Sequence, residues 1–303
     1  MTRYVVKRVL LAIVTVIIIS LITFFAMNAI PGGPFNKEKA PSPQVQAVLE
    51  ARYNLDKPVG EQYILYMNNI LHGDWGVSLK TGRDIGSTLG SRFAVSAQLG
   101  LEAAAVAIVF GLVLGSIAAL NRNKLPDRLI IFFTTLFTGV PSFVLATLLL
   151  LVFCVELNVL PVWSAENPNY ILPVISLSLY PMAYITRLTK TSMLDALGQD
   201  YVRTARAKGV PQVKVIFKHA LRNALIPVIT YVGPMIAYII TGSMVVESIF
   251  TIGGLGTQFV NSITNSDYPL IMATTLFLGT LMVAANLITD LVYKLVDPRI
   301  ELE

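Results

Sequence analysis

An all-α integral membrane fold with six transmembrane helices is what this sequence predicts, and three observations predict it. The first is composition: of 303 residues, 54% are hydrophobic and 14% charged, where a soluble domain carries about a quarter charged residues. The second is a series of apolar runs long enough, at about 1.5 Å per residue, to cross a hydrocarbon layer of about 30 Å. The third is the placement of cations. Sixteen of the 23 Lys and Arg fall at the N-terminus, in two segments between runs, and in the tail. The positive-inside rule assigns those segments to the cytoplasm, and with them both termini. The remaining seven lie in one long polar loop, and long translocated loops largely escape the rule. The net charge of +5 is explained by this topology, so no nucleic-acid partner is expected.

In chain order, residues 1–30 hold Arg3, Lys7 and Arg8 and then the first run, residues 9–30. That run is longer than the roughly 7–15-residue core of a signal peptide, so it is read as a helix that stays. Residues 31–92 form an extracytoplasmic loop in which 44–53 and 60–70 are candidate short helices. GDWG at 73–76 is a turn. Residues 93–303 form the core. Its second run, 103–120, starts somewhat earlier, carries Glu102 near its outer end, and holds Gly111 and Gly115 at the spacing that permits close helix approach. A basic turn at 121–128 leads to the third run, 129–155, which Pro141 kinks. Residues 156–170 have two acids and no cation and belong outside. The fourth run, 171–186, is short and broken by Pro173 and Pro181. The fifth, 223–246, holds Pro227, Gly233 and Pro234. A Gly-rich outer segment at 250–267 precedes the sixth run, 268–289, and Lys294 with Arg299 returns the tail inside.

Residues 201–227 concentrate Arg203, Arg206, Lys208, Lys214, Lys218 and Arg222 with no acid among them. Residues 192–208 read as one helix stopped by Lys208, Gly209 and Pro211: a cation at the negative dipole end, a residue able to take positive φ, and a proline beyond. A second helix can start at Pro211. Val213, Ile216, Phe217, Ala220 and Leu221 make one apolar stripe on it. The segment reads as a helix–turn–helix hairpin held against the membrane by that stripe.

RTARAKG at 203–209 followed by HALRNALIP at 219–227 resembles the cytoplasmic loop of the membrane subunits of binding-protein-dependent ABC importers, in their peptide-permease variant. In the wider superfamily the loop begins Glu-Ala-Ala, then three residues, then Gly; here those places hold Arg203, Thr204, Ala205 and Gly209. The Leu-Pro that often follows is matched by Leu221 and Arg222. Both departures point away from sugar and amino-acid permeases. PGGPF at 31–35, YNLDKP at 53–58, HGDWGVSL at 72–79 and the insert PFNKEKAPSP at 34–43 resemble oligopeptide-permease subunits in particular. Peptide-permease relatives usually have Pro-Gly where this chain has Gly253 and Gly254. The resemblance implies the type I (MetI-like) importer permease architecture, with a coupling loop over 190–222. Arg203, Thr204, Ala205, Arg206, Ala207, Lys208, Gly209, His219, Leu221 and Arg222 would meet an ATPase there. It implies a second homologous permease subunit, two ABC ATPase subunits, and an extracytoplasmic peptide-binding protein in a bacterial cytoplasmic membrane. ATP and Mg would be used by the partner subunits, with no cofactor on this chain.

The sequence itself carries no GxxxxGK[ST], HExxH, GxSxG or CxxC. Gly82, Gly86 and Gly90 lack the lysine that would meet phosphates, so the chain is read as a transport subunit and not an enzyme. Cys154 is alone, and His72 and His219 lie in segments assigned to opposite sides. Near the runs only Glu102, Glu247 and Asp290 are ionisable, all at run ends, which argues against an ion relay. Glu247 has two readings, a gating position leading into the outer loop or an interfacial carboxylate bonded to that loop's amides. Asn28, Thr134, Thr138, Ser142, Tyr231, Tyr238 and Asn286 are candidates to line a path, though for any single one a helix–helix hydrogen bond is the favoured reading. Alternatives are a permease for dipeptides, nickel or another small ligand, and an ATP-independent secondary transporter.

Overall fold

The computed structural model describes residues 2–29 and 57–296; the expected helix at 44–53, the PFNKEKAPSP insert and Arg299 lie outside them. The described chain is helical apart from one isolated bridge between Val77 and Asp84. Its elements are α1 (Thr2–Ala29), α2 (Val59–Leu71), α3 (Ile85–Leu120), α4 (Leu125–Gly139), α5 (Ser142–Leu150), α6 (Ile171–Leu197) and α7 (Asp200–Ala207). They continue with α8 (Arg222–Ile240), α9 (Met244–Ile249), α10 (Leu255–Thr264) and α11 (Tyr268–Val296). Five stretches are long and apolar enough to cross a membrane: Val5–Ala29, Ile85–Leu120, Ile171–Leu197, Gln212–Ile249 and Tyr268–Leu291. The sixth is a broken pair, Leu125–Gly139 with Ser142–Glu156, meeting at 103°.

That angle corrects the expectation of a kinked third helix. Pro141 has no N–H to give, and its ring drives the preceding residue out of the helical region. Val140 is accordingly extended, at φ −90 and ψ 130. The chain turns a corner there, and α5 leaves it through a π-helical turn, Leu151–Glu156.

The fourth run departs from expectation in the opposite sense. α6 is one helix of 27 residues running through both prolines. Pro173 falls in its first turn, where a missing N–H costs nothing. Pro181, inside, frees only the carbonyl one turn back. The helix expected over 192–208 is split instead at Gly198 and Gln199, the latter extended at φ −76 and ψ 153 as it caps α7.

The hairpin's second arm starts at Gln212, with Pro211 as its cap. It does not end before the membrane. Gln212–Lys214 passes through a π-helical turn, Val215–Leu221, straight into α8. The wide turn shifts the buried face by a residue. Val215, Ala220, Ala224 and Val228 are buried, while Val213 and Phe217 of the expected stripe are 68% and 64% exposed.

α3 is the central post, 36 residues and about 54 Å long. Asp84 caps it, accepting from the Ser87 N–H at 2.7 Å. About twenty residues back from Leu120 cover the hydrocarbon, which puts Glu102 at its boundary and the first turns of α3 beyond it. Its largest interface is with α6, and the two glycines sit in it. A Cβ on Gly111 would come within 2.7 Å of Ile185, and one on Gly115 within 2.6 Å of the Thr186 carbonyl oxygen. Higher up, Gly100 admits α8, with the Ile239 carbonyl 2.8 Å from where a Cβ would stand. α1 packs on α11, joined by Arg8 and Asp290 at 2.9 Å. α2 lies on α1 through Phe24, Tyr63 and Tyr66. The outward side of α1 shows Leu10, Ile13, Ile17 and Ile22, an apolar face suited to lipid.

A Gly115→Leu variant should therefore lose about 1–3 kcal/mol from overpacking. It should melt in detergent at a clearly lower temperature than the wild-type chain. Gly90→Ala, on the same helix with open space around it, should melt no lower.

Candidate functional site

Four interruptions converge on one cavity: the α4–α5 corner, Pro181 in α6, Pro234 in α8, and the break at Thr241–Ser243 before α9. Gly242, at φ +98, makes that last turn. The cavity measures about 1150 Å³, and α1 and α11 close it with Ile19, Thr275 and Gly279. Its wall carries hydroxyls from Thr138, Ser142, Ser176, Thr241, Ser243 and Thr275, together with Tyr180, Tyr231 and Tyr238. Among the described residues no charged side chain lines it. Tyr231 lies against Tyr184, their ring centroids 4.2 Å apart, while Tyr180 and Tyr238 are 54% and 70% exposed.

Of the candidate path residues, the structure brings Thr138, Ser142, Tyr231 and Tyr238 to this wall. Asn286 is exposed on α11 and outside the lining. Asn28 donates to the Phe24 carbonyl of its own helix at 3.0 Å. The sequence reading missed Thr241, Ser243 and Tyr180. The signal for the first two was Gly242, a glycine inside the run that the sequence reading carried on to 246, two residues past the end of α8.

Glu247 is fully buried and takes no part in the lining. Ser96 on α3 donates its hydroxyl to Oε1 at 2.7 Å, and the Thr257 N–H donates to Oε2 at 3.0 Å. The same Ser96 oxygen accepts from the Leu255 N–H at 2.8 Å, and Arg92 Nη1 donates to the Gly253 carbonyl at 2.8 Å. Glu247 thus bonds the outer loop to α3. A Cβ on Gly254 would stand 2.4 Å from Ser96 Oγ and 2.5 Å from Glu247 Oε2. Close approach to this carboxylate is why glycine stands there. Asp267, likewise buried, accepts from the Ser78 hydroxyl and, at 3.2 Å, from the Leu79 N–H. It ties the segment before α3 to the same loop.

At the basic hairpin, α7 ends as its residues dictate. The Gly209 N–H donates to the Arg206 carbonyl at 3.0 Å and the Val210 N–H to the Ala205 carbonyl at 3.1 Å. Gly209 at φ +73 permits this paired closure. Val202, Ala205 and Val215 are buried between the arms. Arg203, Thr204, Arg206, Ala207, Lys208 and Gly209 are left on an exposed tip. Arg222 is exposed further up, and His219 and Leu221 are half-buried along the second arm. Leu221 packs toward Met193 and Ala224.

The sequence reading counted two cations only as cytoplasmic charge, because it closed the fourth run at Thr186. Lys190 on α6 pairs with Asp127 of α4, which also accepts from the Asn123 N–H at 2.9 Å. One turn nearer the cavity, Arg187 Nη2 donates to the hydroxyls of Thr135 at 3.0 Å and Thr138 at 3.1 Å. Its Nε reaches Thr134 at 3.5 Å.

Apolar spans around an uncharged cavity, with a solvent-facing basic hairpin between two of them, define a multi-spanning membrane transport subunit. The chain belongs to the family described as binding-protein-dependent transport system inner membrane component, whose profile matches residues 111–302. The corresponding N-terminal component matches residues 1–99. The chain is 46% identical over 304 residues to the dipeptide transport system permease protein DppB of Bacillus subtilis, covering 100% of this chain and 99% of that one. It is 43% identical to the oligopeptide transport system permease protein OppB of Haemophilus influenzae, covering 99% of each. A solved structure, described as the crystal structure of an amino acid ABC transporter with histidines, shares the fold at TM-score 0.56 and 14% identity. It covers 69% of this chain and 94% of that one, and the expected type I importer permease architecture is the one observed.

Replacing Glu247 by Ala strands the Ser96 hydroxyl and the Thr257 N–H, at a cost of about 3 kcal/mol. Thermal unfolding in micelles should show a marked drop for Glu247→Ala and a smaller one for Glu247→Gln, which keeps one acceptor.

Proposed function

We propose that this chain is one of two homologous permease subunits of an ATP-driven peptide importer, forming half of the translocation path. The observation that carries this reading is full-length similarity to permeases named for dipeptide and oligopeptide transport. The cavity suits such cargo. Peptide side chains vary and only backbone and termini are constant, so a wide wall of hydroxyls and tyrosines serves better than fixed charges. At about 1150 Å³ it lies just past the upper end of the roughly 300–1,000 Å³ of small-ligand sites, with room for a short peptide.

In this reading the exposed tip at Arg203–Gly209 and the arm bearing His219, Leu221 and Arg222 engage a separate ABC ATPase. Two such subunits use ATP and Mg. An extracytoplasmic binding protein delivers peptide on the outer side. The bacterial relatives support a bacterial cytoplasmic membrane, and the cation distribution supports both termini in the cytoplasm. Both arms of the hairpin lead to the cavity: α6 carries Tyr180 toward one, and α8 carries Tyr231 and Tyr238 from the other. Movement of the hairpin with the ATPase would bias access between the two sides, an equilibrium that ATP and loaded binding protein both shift.

A pull-down of the tagged chain from native membranes should recover two ATPases and a second permease. The chain recovered alone and still moving solute would favour the secondary transporter. An added Cβ at Gly209 meets nothing within 4 Å, but its φ of +73 strains any side chain, so Gly209→Ala serves as the strain control and Gly209→Trp adds the block of the docking face. Gly209→Trp should cut uptake by about tenfold or more beyond that control, and full uptake would remove the coupling role.

A further inference from the structure

We propose that Arg187 is a subsite for a carboxylate of the cargo, foremost the C-terminal carboxylate of a peptide, on the hairpin side of the cavity. This rests on the peptide reading above. Arg187 lies within a spanning helix, where an ionisable side chain calls for a partner and a function. Among the described residues no carboxylate lies within ion-pair distance of it; its contacts are three hydroxyls, those of Thr134, Thr135 and Thr138. Lys190, one turn away, does have its acid in Asp127. The local structure therefore neutralises one cation of the pair and leaves the other uncompensated.

The threonines do more than solvate the charge. They engage Nε and Nη2, which fixes the guanidinium plane and leaves both Nη1 donors for a ligand. A carboxylate is the anion those donors suit, since Nη1 can give it a charge-assisted hydrogen bond and the guanidinium keeps its charge. Thr138 is itself a lining residue of the cavity, so the guanidinium stands one hydroxyl behind the wall. Tyr180, Tyr184 and Arg187 share one face of α6 at helical spacing. Tyr180 lines the cavity and Tyr184 is 44% exposed, so that face leads from the cavity toward the hairpin, with the charge at its far end. A peptide entering a wall without charges carries an anionic terminus that has lost water, and Arg187 is placed to receive it.

The test uses the whole transporter in proteoliposomes: this chain with its partner subunits and the binding protein. The probes are one peptide as free acid and as C-terminal amide, a pair chosen because the binding protein holds both equally. Wild type should import the free acid about tenfold faster, the scale of one lost charge-assisted bond. Arg187→Gln should import both forms alike, and Arg187→Lys should recover part of the ratio. If Arg187→Gln fails to assemble, the double variant Thr135→Ala, Thr138→Ala keeps the charge but not its aim, and should lower the ratio as well. A wild type that moves both forms equally, or variants that keep its ratio, would overturn the carboxylate subsite and leave the peptide reading standing. Variants slowed equally for both forms would assign Arg187 to lipid phosphate or to packing, and also overturn it. A wild type that moves neither peptide would remove the peptide reading itself.

Discussion

The contact on which the rest depends is the seam where α3 and α6 meet at Gly111 and Gly115. Between helices in lipid there is little hydrophobic gain from association, so close van der Waals packing must hold them. Two missing side chains let the backbones approach far enough for Ile185, Thr186 and Thr189 to fill the space. Everything functional is hung from this pair. α3 carries Ser96 to Glu247 at one end, and α6 carries Tyr180, Arg187 and then the hairpin at the other. α4 is fastened to α6 twice, by Asp127 and Lys190 and by the threonine contacts of Arg187. The corner at Val140 and Pro141 therefore has its position set by α6.

Much of the fold was legible because membrane spans are written in composition. Runs and cations located the six crossings, and Gly209 with Lys208 and Pro211 located the hairpin turn. What was not legible has specific causes. Proline punctuation was misread in both directions. Pro141 makes a corner because an extended residue precedes it, whereas Pro181 sits in a continuous helix that gives up one backbone hydrogen bond to it. The apolar stripe at Val213 and Phe217 assumed a period of 3.6 residues, and the π-helical turn broke that period. Glu247 allowed two readings because its partners, Ser96 and Thr257, are remote in sequence. Only the assembled loop shows its carboxylate filled by donors on both oxygens.

Charge is distributed by depth with some economy. Among the described residues the cavity wall holds none, the outer loop holds carboxylates met by hydroxyls and amides, and the hairpin tip holds exposed cations, of which Arg203 pairs with Asp200. Arg187 stands between the cavity wall and the hairpin. A buried charge within a span is costly even short of mid-depth, and three threonines on α4 offset part of that.

The π-helical turn at Val215–Leu221 has a consequence for how such a subunit can diverge. In a continuous helix each residue advances the face by about 100°. An added or lost residue within that wide turn would rotate the arm bearing Lys214 and Lys218 relative to α8. The cavity face of Tyr231 and Tyr238 would stay where it is. The segment acts as an indexing joint, through which the surface offered to one partner can be re-aimed while the wall met by the cargo keeps its shape.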